Sequence, residues 1–206
     1  MKYELPVHFE QTLGQIKAAY IKAASDYERS VMVEGRVSCR KGCSHCCYYP
    51  VLTSIPEALL LYRGITRKRL WTSKLKADFE KAAERVLGLN LEVWMLSKIP
   101  CPLLDETNNT CKAYEVRPFS CRTVYTRSDP HYCEPSHSAG LTPLLDRKKA
   151  IQSMIETETK LLARHRIGRI VLPLSTSVLL AERLDKGDID FATLGAIVWK
   201  EYILQW

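Results

Sequence analysis

The sequence predicts a mainly α fold, with helices arranged around one irregular, cysteine-rich lobe that holds at most a small hairpin. Outside residues 38–137, apolar residues recur at three- and four-residue steps. Inside those limits a helical pattern persists over about 54–87, and from Pro100 to His137 it gives way to turn formers and prolines. All eight cysteines lie within 38–137, and none falls in the first 38 or the last 73 residues. No convincing succession of strand patterns appears anywhere. We therefore expect a single domain over 1–206, its cysteine segment 38–137 flanked by helices over 8–34 and 141–205.

The first helix is read from Leu13, Ile16, Ala19/Tyr20, Ala23/Ala24, Tyr27 and Val31, with Gly35 as its stop. Ser38–Pro50 is a loop holding four cysteines. Ser54-Ile-Pro-Glu57 has the form of a capping box and opens a short helix to about Tyr62. Thr66 caps the next, expected to run to about Leu87 before Gly88. Leu70, Leu75, Phe79, Ala82/Ala83 and Val86 are its buried stripe. Arg67, Lys68, Arg69, Lys74, Lys76, Lys81 and Arg85 make its outer face basic, a pattern that ordinary solvation and i,i+4 pairing also explain. Leu91–Ser97 is one or two helical turns.

From Pro100 to His137 the chain has five prolines and the turn-forming Asp105–Asn109, consistent with a hairpin across Leu103–Lys112. This stretch has too little apolar material to hold itself together. Thr142-Pro143 is expected to start a helix to about Arg166, with Ile151, Met154/Ile155, Leu161/Leu162 and His165 on one side and Glu158 interrupting the stripe. Ser175 or Thr176 starts another to Leu184. Asp188 or Asp190 caps the last, which buries Phe191, Leu194, Ile197/Val198 and Ile203.

Met1–Glu10 has no unbroken apolar core of a secretory signal, and no apolar run reaches the roughly 20 residues needed to span a bilayer. Ile170–Ala181, the longest candidate, is broken by Pro173. The expectation is a cytoplasmic, soluble chain with no membrane partner. In a reducing compartment clustered cysteines are metal ligands or redox groups rather than disulfides. A vicinal Cys46–Cys47 bridge would also be strained. The formal charge is +7. Eight thiolates around two dications, or two clusters of charge +2, would bring it to about +3, so the basic excess is weak evidence for nucleic acid.

Thiolates are soft, charged ligands that select zinc, copper(I) or iron–sulfur clusters. Eight make two sets of four: two four-thiolate sites, or one cluster and one structural zinc, with sharing of ligands between them left open. Neighbouring side chains diverge, so Cys46 and Cys47 can serve different sites. Pro118 fixes a turn that aims Cys121 inward. Arg117 and Arg122 are placed to donate to thiolate or sulfide, or else to pair with Glu115. His45, between two ligands, is a second-shell candidate or simply exposed. His131 and His137 flank Cys133 and can replace a cysteine at zinc. Tyr114, His8 and His165 read as structural.

The motif order is Cys39-x3-Cys43-x2-Cys46-Cys47, then Cys101-Pro-Leu-Leu, then Cys111-Lys-Ala-Tyr114-Glu-Val-Arg117-Pro118-Phe-Ser-Cys121-Arg122. This resembles the CxxCxxCC, or YkgJ-type, cysteine-cluster family, a zinc- or iron-chelating domain, across residues 39 to about 133. The family is similar to the cysteine-bearing part of flagellin lysine methylases, whose cysteines are associated with an iron–sulfur cluster. One departure is a first gap of three residues where the family's name has two. The resemblance implies Cys39, Cys43, Cys46, Cys47, Cys101, Cys111 and Cys121 as ligands, with Cys133 as the eighth. The cofactor it implies is a 4Fe-4S cluster or zinc.

Function is read less sharply. The leading expectation is an iron–sulfur or zinc protein supporting a redox or methyl-transfer-type reaction on a small molecule, a protein substrate or a redox partner. No glycine-rich strand–turn–helix supports the S-adenosylmethionine that the methylase resemblance would imply. Cys39-x3-Cys43-x2-Cys46 has the spacing of radical S-adenosylmethionine enzymes, but the alternating strand–helix pattern of their barrel is missing. The non-enzymatic alternative is a zinc-stabilised module whose basic helix, or Arg147-Lys-Lys149, engages nucleic acid or protein. Phosphate-loop, serine-hydrolase and zinc-protease motifs are absent, and no catalytic residue is assigned.

Overall fold

The computed structural model describes residues 7–40, 42–134 and 144–200. Among them are eight α-helices and two two-stranded antiparallel pairs. In chain order they are α1 (Val7–Val33), β1 (Leu52–Ser54), α2 (Ile55–Arg67), α3 (Ser73–Val86), α4 (Leu91–Leu96), β2 (Leu104–Asp105), β3 (Thr110–Cys111), α5 (Phe119–Arg122), α6 (Lys148–Ala163), β4 (Val171–Pro173), α7 (Leu174–Asp185) and α8 (Phe191–Val198). None of these helices is long and apolar enough to cross a membrane. The mainly helical class read from the sequence is the class observed. The pairing is antiparallel in both sheets, so the described residues contain no (β/α) barrel of the radical-enzyme kind.

Helix α1 buries Phe9, Leu13, Ile16, Tyr20, Ala24, Tyr27 and Val31, the expected stripe, largely against α6. Thr12 joins it, its hydroxyl 2.7 Å from His165 Nε2. The capping box at Ser54 is complete: Ser54 Oγ accepts from the Glu57 N–H and Glu57 Oε2 from the Ser54 N–H. Helix α2 then runs five residues beyond Tyr62 and contains Thr66, which is not a cap. The Leu70 N–H donates to Ile65 O and the Arg69 N–H to Thr66 O, with Arg69 at φ 58°. That is a left-handed helix end built on arginine instead of glycine. The cap of α3 is Thr72, which accepts from the Leu75 N–H.

Helix α6 begins at Lys148, not at Thr142-Pro143, which lie outside the described residues. Leu144 forms a bridge with Thr126, and the Leu145 N–H donates to Tyr125 O, so residues 144–147 are drawn out along the lobe. Asp190 caps α8, accepting from the Thr193 N–H. Leu194 and Val198 are buried as expected, while Ile203 lies outside the described residues.

One element has no counterpart in the sequence reading. Strands β1 and β4 pair Leu52 with Pro173, Thr53 with Leu172 and Ser54 with Val171. Each strand leads directly into a helix, and those helices, α2 and α7, pack face to face. Ser177 Oγ donates to Thr53 O and Leu172 O, tying helix to sheet. Below them Glu158 of α6 is completely buried and accepts from Arg169 Nε at 2.5 Å. Glu182 of α7 is likewise enclosed, held by Trp71, Lys76 and Lys186.

Removing one partner of a buried ion pair strands the other charge. Arg169→Ala is expected to destabilise the fold by about 3–5 kcal/mol in urea denaturation. The paired change Glu158→Leu with Arg169→Met is expected to restore most of that loss, which would place the cost in the stranded carboxylate.

Candidate metal centre

Four segments bring the thiols together. The loop from Cys39 to Cys47 ends in a 3-10 turn, His45–Tyr48, which packs against a second such turn, Pro130–Cys133. The loop's start is stitched to the chain after α5: the Ser38 N–H donates to Thr126 O at 2.8 Å and the Cys39 thiol lies 3.9 Å from Val124 O. Cys47 O accepts from the Cys101 N–H at 2.8 Å, and Cys101 O from the Leu104 N–H at 2.9 Å. The hairpin β2–β3, expected across Leu103–Lys112, pairs Leu104 with Cys111. Cys121 sits in the single turn of α5 behind Pro118.

Helix α5 is too short to hold itself. Its first N–H, on Phe119, donates to Glu57 Oε1 at 2.7 Å, so the residue that caps α2 also anchors the turn carrying Cys121. At the other end Arg147 Nη1 donates to Ser120 O and Thr123 Oγ1. Between them Phe119 is buried in the main core, and Val116 fills the space over Gly64, where an added Cβ would stand 2.9 Å from the valine side chain.

All eight cysteines are free thiols, seven half-buried and Cys133 buried. Burial raises Cys39, Cys43, Cys101, Cys111, Cys121 and Cys133, with Cys101 at about 12 and Cys133 at about 11. The neighbouring thiols add to this in a definite pattern. Cys133 is influenced by Cys39, Cys43 and Cys46. Cys121 is influenced by Cys101, Cys46 and Cys111, and Cys47 by Cys46, Cys101 and Cys111. Cys133 thus senses Cys39 and Cys43, and Cys47, Cys101, Cys111 and Cys121 lie within reach of one another, while Cys46 acts on thiols of both sets. A hydrogen bond from Cys47 holds the Cys46 thiol down at about 7 and pushes Cys47 strongly up.

Arg117 is the cation nearest the second group: it favours the thiolates of Cys46, Cys111 and Cys121, while its guanidinium stacks 3.8 Å from the Tyr114 ring centroid. Arg122 stands half-buried at the end of α5. Glu115, the alternative partner for these arginines, pairs with Lys68. The cation that sequence reasoning missed is Arg147, which it had counted as part of a surface basic cluster. It is turned into the lobe, where Cys121 acts on it electrostatically. Only its distance from the cysteines in sequence concealed it. His45 is half-buried beside Cys46, and His131 is exposed on the outer side of its turn. His137 lies outside the described residues.

As the side chains stand, no three His, Cys, Asp or Glu donors among the described residues are gathered tightly enough to hold an ion. The donor chemistry fits a thiophilic metal: eight reduced thiols in one lobe, partly shielded from water, with Arg117 favouring the thiolates of Cys46, Cys111 and Cys121.

Residues 38–139 match the model of the CxxCxxCC family, described as a "Putative zinc- or iron-chelating domain". The chain thus carries a domain of that family, spanning the whole cysteine lobe. Comparison with curated proteins and with solved structures found no match.

Burial pushes Glu57 up to about 7 from its ordinary 4.5. Between those pH values the unfolded chain releases this proton and the folded one retains it. Stability from this residue is therefore full below about pH 4.5 and falls as pH rises to about 7, by about 3 kcal/mol. In Glu57→Gln that part of the pH dependence is expected to vanish, as read by denaturant titrations of both proteins between pH 4.5 and 7.5.

Proposed function

We propose that this protein is a two-centre iron–sulfur protein of the CxxCxxCC family, with Cys39, Cys43, Cys46 and Cys133 holding one four-iron cluster and Cys47, Cys101, Cys111 and Cys121 the other. What supports this reading is the family match over the cysteine lobe together with its eight free thiols, Cys133 acted on by Cys39 and Cys43 and Cys121 by Cys101 and Cys111. Clusters with four thiolate ligands supply one-electron redox chemistry, with potentials set by charge, hydrogen bonds and exposure. The chain's own residues provide the setting. Arg117 offsets thiolate charge in the second set, and Glu57 and Arg147 hold the backbone on which Cys121 is mounted. Cys47 and Cys101 line a small cleft of about 30 Å³, room for no more than a water molecule beside the second set of thiols.

A structural zinc reading draws on a different observation: the lobe's regular structure is slight, with two-residue strands and a one-turn helix, and ion binding would supply folding energy. In that case the basic face of α3 remains for an acidic or nucleic-acid partner. Anaerobic purification with metal and acid-labile sulfide analysis separates the two. We expect about eight iron and eight sulfide per chain and a brown, reducible protein. Cys111→Ser or Cys133→Ser is expected to lose about half of both, each from a different centre. About two zinc ions and no sulfide would overturn the iron–sulfur assignment.

A further inference from the structure

The small cleft that reaches Cys47 and Cys101 ends on Val86 and Trp94. The same two residues also line a much larger cleft of about 640 Å³. Its base is the run Ile170–Pro173 that contains β4, and its rim is formed by Leu52, Leu87 and Leu91. These three leucines are 45%, 50% and 58% exposed, an apolar rim kept open to water. A volume of this size lies within the range of small-molecule sites, about 300–1,000 Å³. A stable contact with a second copy needs a broad face of roughly 800 Å² per partner, for which a concave pocket is poorly shaped.

Polar side chains in the lining are few: Arg169 and Thr176. Glu158 takes Arg169 Nε and is its ion-pair partner among the described residues. A guanidinium has five N–H donors in a planar fork, so both Nη groups remain for an acceptor. Planar oxygen acceptors, carboxylates above all, match that fork. A largely apolar cleft with Arg169 in its lining suits a molecule with a long apolar tail and a carboxylate head.

We propose that this cleft binds an aliphatic carboxylate, its chain lying along Leu87, Leu91 and Leu172 and its carboxylate on Arg169. The site is separate from the thiols and does not depend on which metal they hold. Its ligand would lie beside Trp94 and Val86, which also line the small cleft that holds Cys47 and Cys101.

The test uses the full-length protein, titrated with decanoate below its micelle concentration and followed by tryptophan fluorescence and calorimetry. Saturable binding of one decanoate per chain is expected, tightening on the order of tenfold for every two methylenes added to the tail. Decylammonium, with the same tail and the opposite charge, should bind at least tenfold more weakly. Leu87→Asp with Leu91→Asp, two exposed positions, should weaken decanoate at least tenfold with circular dichroism and metal content unchanged. Absent saturation, equal binding of decylammonium, or full affinity in the double variant would each overturn the proposal. So would a dimer in sedimentation that the double variant dissociates, since a second copy would then cover the cleft.

Discussion

Glu57 is one carboxylate with two structural duties, and the cysteine lobe's relation to the helical body depends on both. Its backbone and one oxygen complete the cap that starts α2. Its other oxygen takes the first N–H of α5, 62 residues further along. A buried carboxylate is expensive unless its oxygens are satisfied, and here the satisfying donors belong to two separate parts of the chain. Loss of either donor leaves the other part facing an incompletely paired charge. Phe119, Leu103 and Ala113 continue the attachment by burying apolar surface in the same core as α1, α2 and α7. Further polar links run from Arg147 to Ser120 and Thr123, from Tyr125 to Glu28 and from Arg127 to the Val31 carbonyl, so the lobe is fastened to the helices by several polar contacts as well as apolar ones.

The second constraint is the concentration of potential negative charge in a small volume. Seven thiols that resist ionisation through burial and their neighbours, together with Cys46, whose ionisation Cys47 favours, form an unfavourable set when charged and an attractive one to a thiophilic cation. The chain meets that charge with Arg117 from within the lobe and Arg147 from the start of α6. Both arginines are also tied to backbone carbonyls, Arg117 Nε donating to Tyr114 O and Arg147 Nη1 to Ser120 O. Each therefore shapes the loop whose charge it offsets.

Much of this was legible in the sequence, for identifiable reasons. The stripe of α1, the capping box at Ser54, the hairpin around Asp105–Asn109 and the isolation of all cysteines in one lobe are local patterns, and local patterns survive folding. What escaped notice was non-local or used an unusual residue. Strands β1 and β4 are three residues each, lie more than a hundred positions apart and include Pro173, so neither announces itself. The end of α2 was misplaced because Arg69 takes the left-handed position where glycine would have marked it. The start of α6 moved because Leu144 and Leu145 pair with the lobe instead of joining the helix. The proposed grouping of the thiols draws on more than spacing: the divergence of adjacent Cys46 and Cys47 is legible in the sequence, but the influence of Cys39 and Cys43 on Cys133, far along the chain, is not.

That grouping is the centre of the account, and thiol alkylation of the anaerobically purified protein, read by peptide mass spectrometry, tests it most directly. In the intact protein all eight cysteines should be protected from alkylation. With Cys133→Ser, we expect Cys39, Cys43 and Cys46 to become reactive while Cys47, Cys101, Cys111 and Cys121 stay protected. If Cys133→Ser instead exposes cysteines from both groups alike, or leaves Cys39 and Cys43 protected, the division into two centres is wrong.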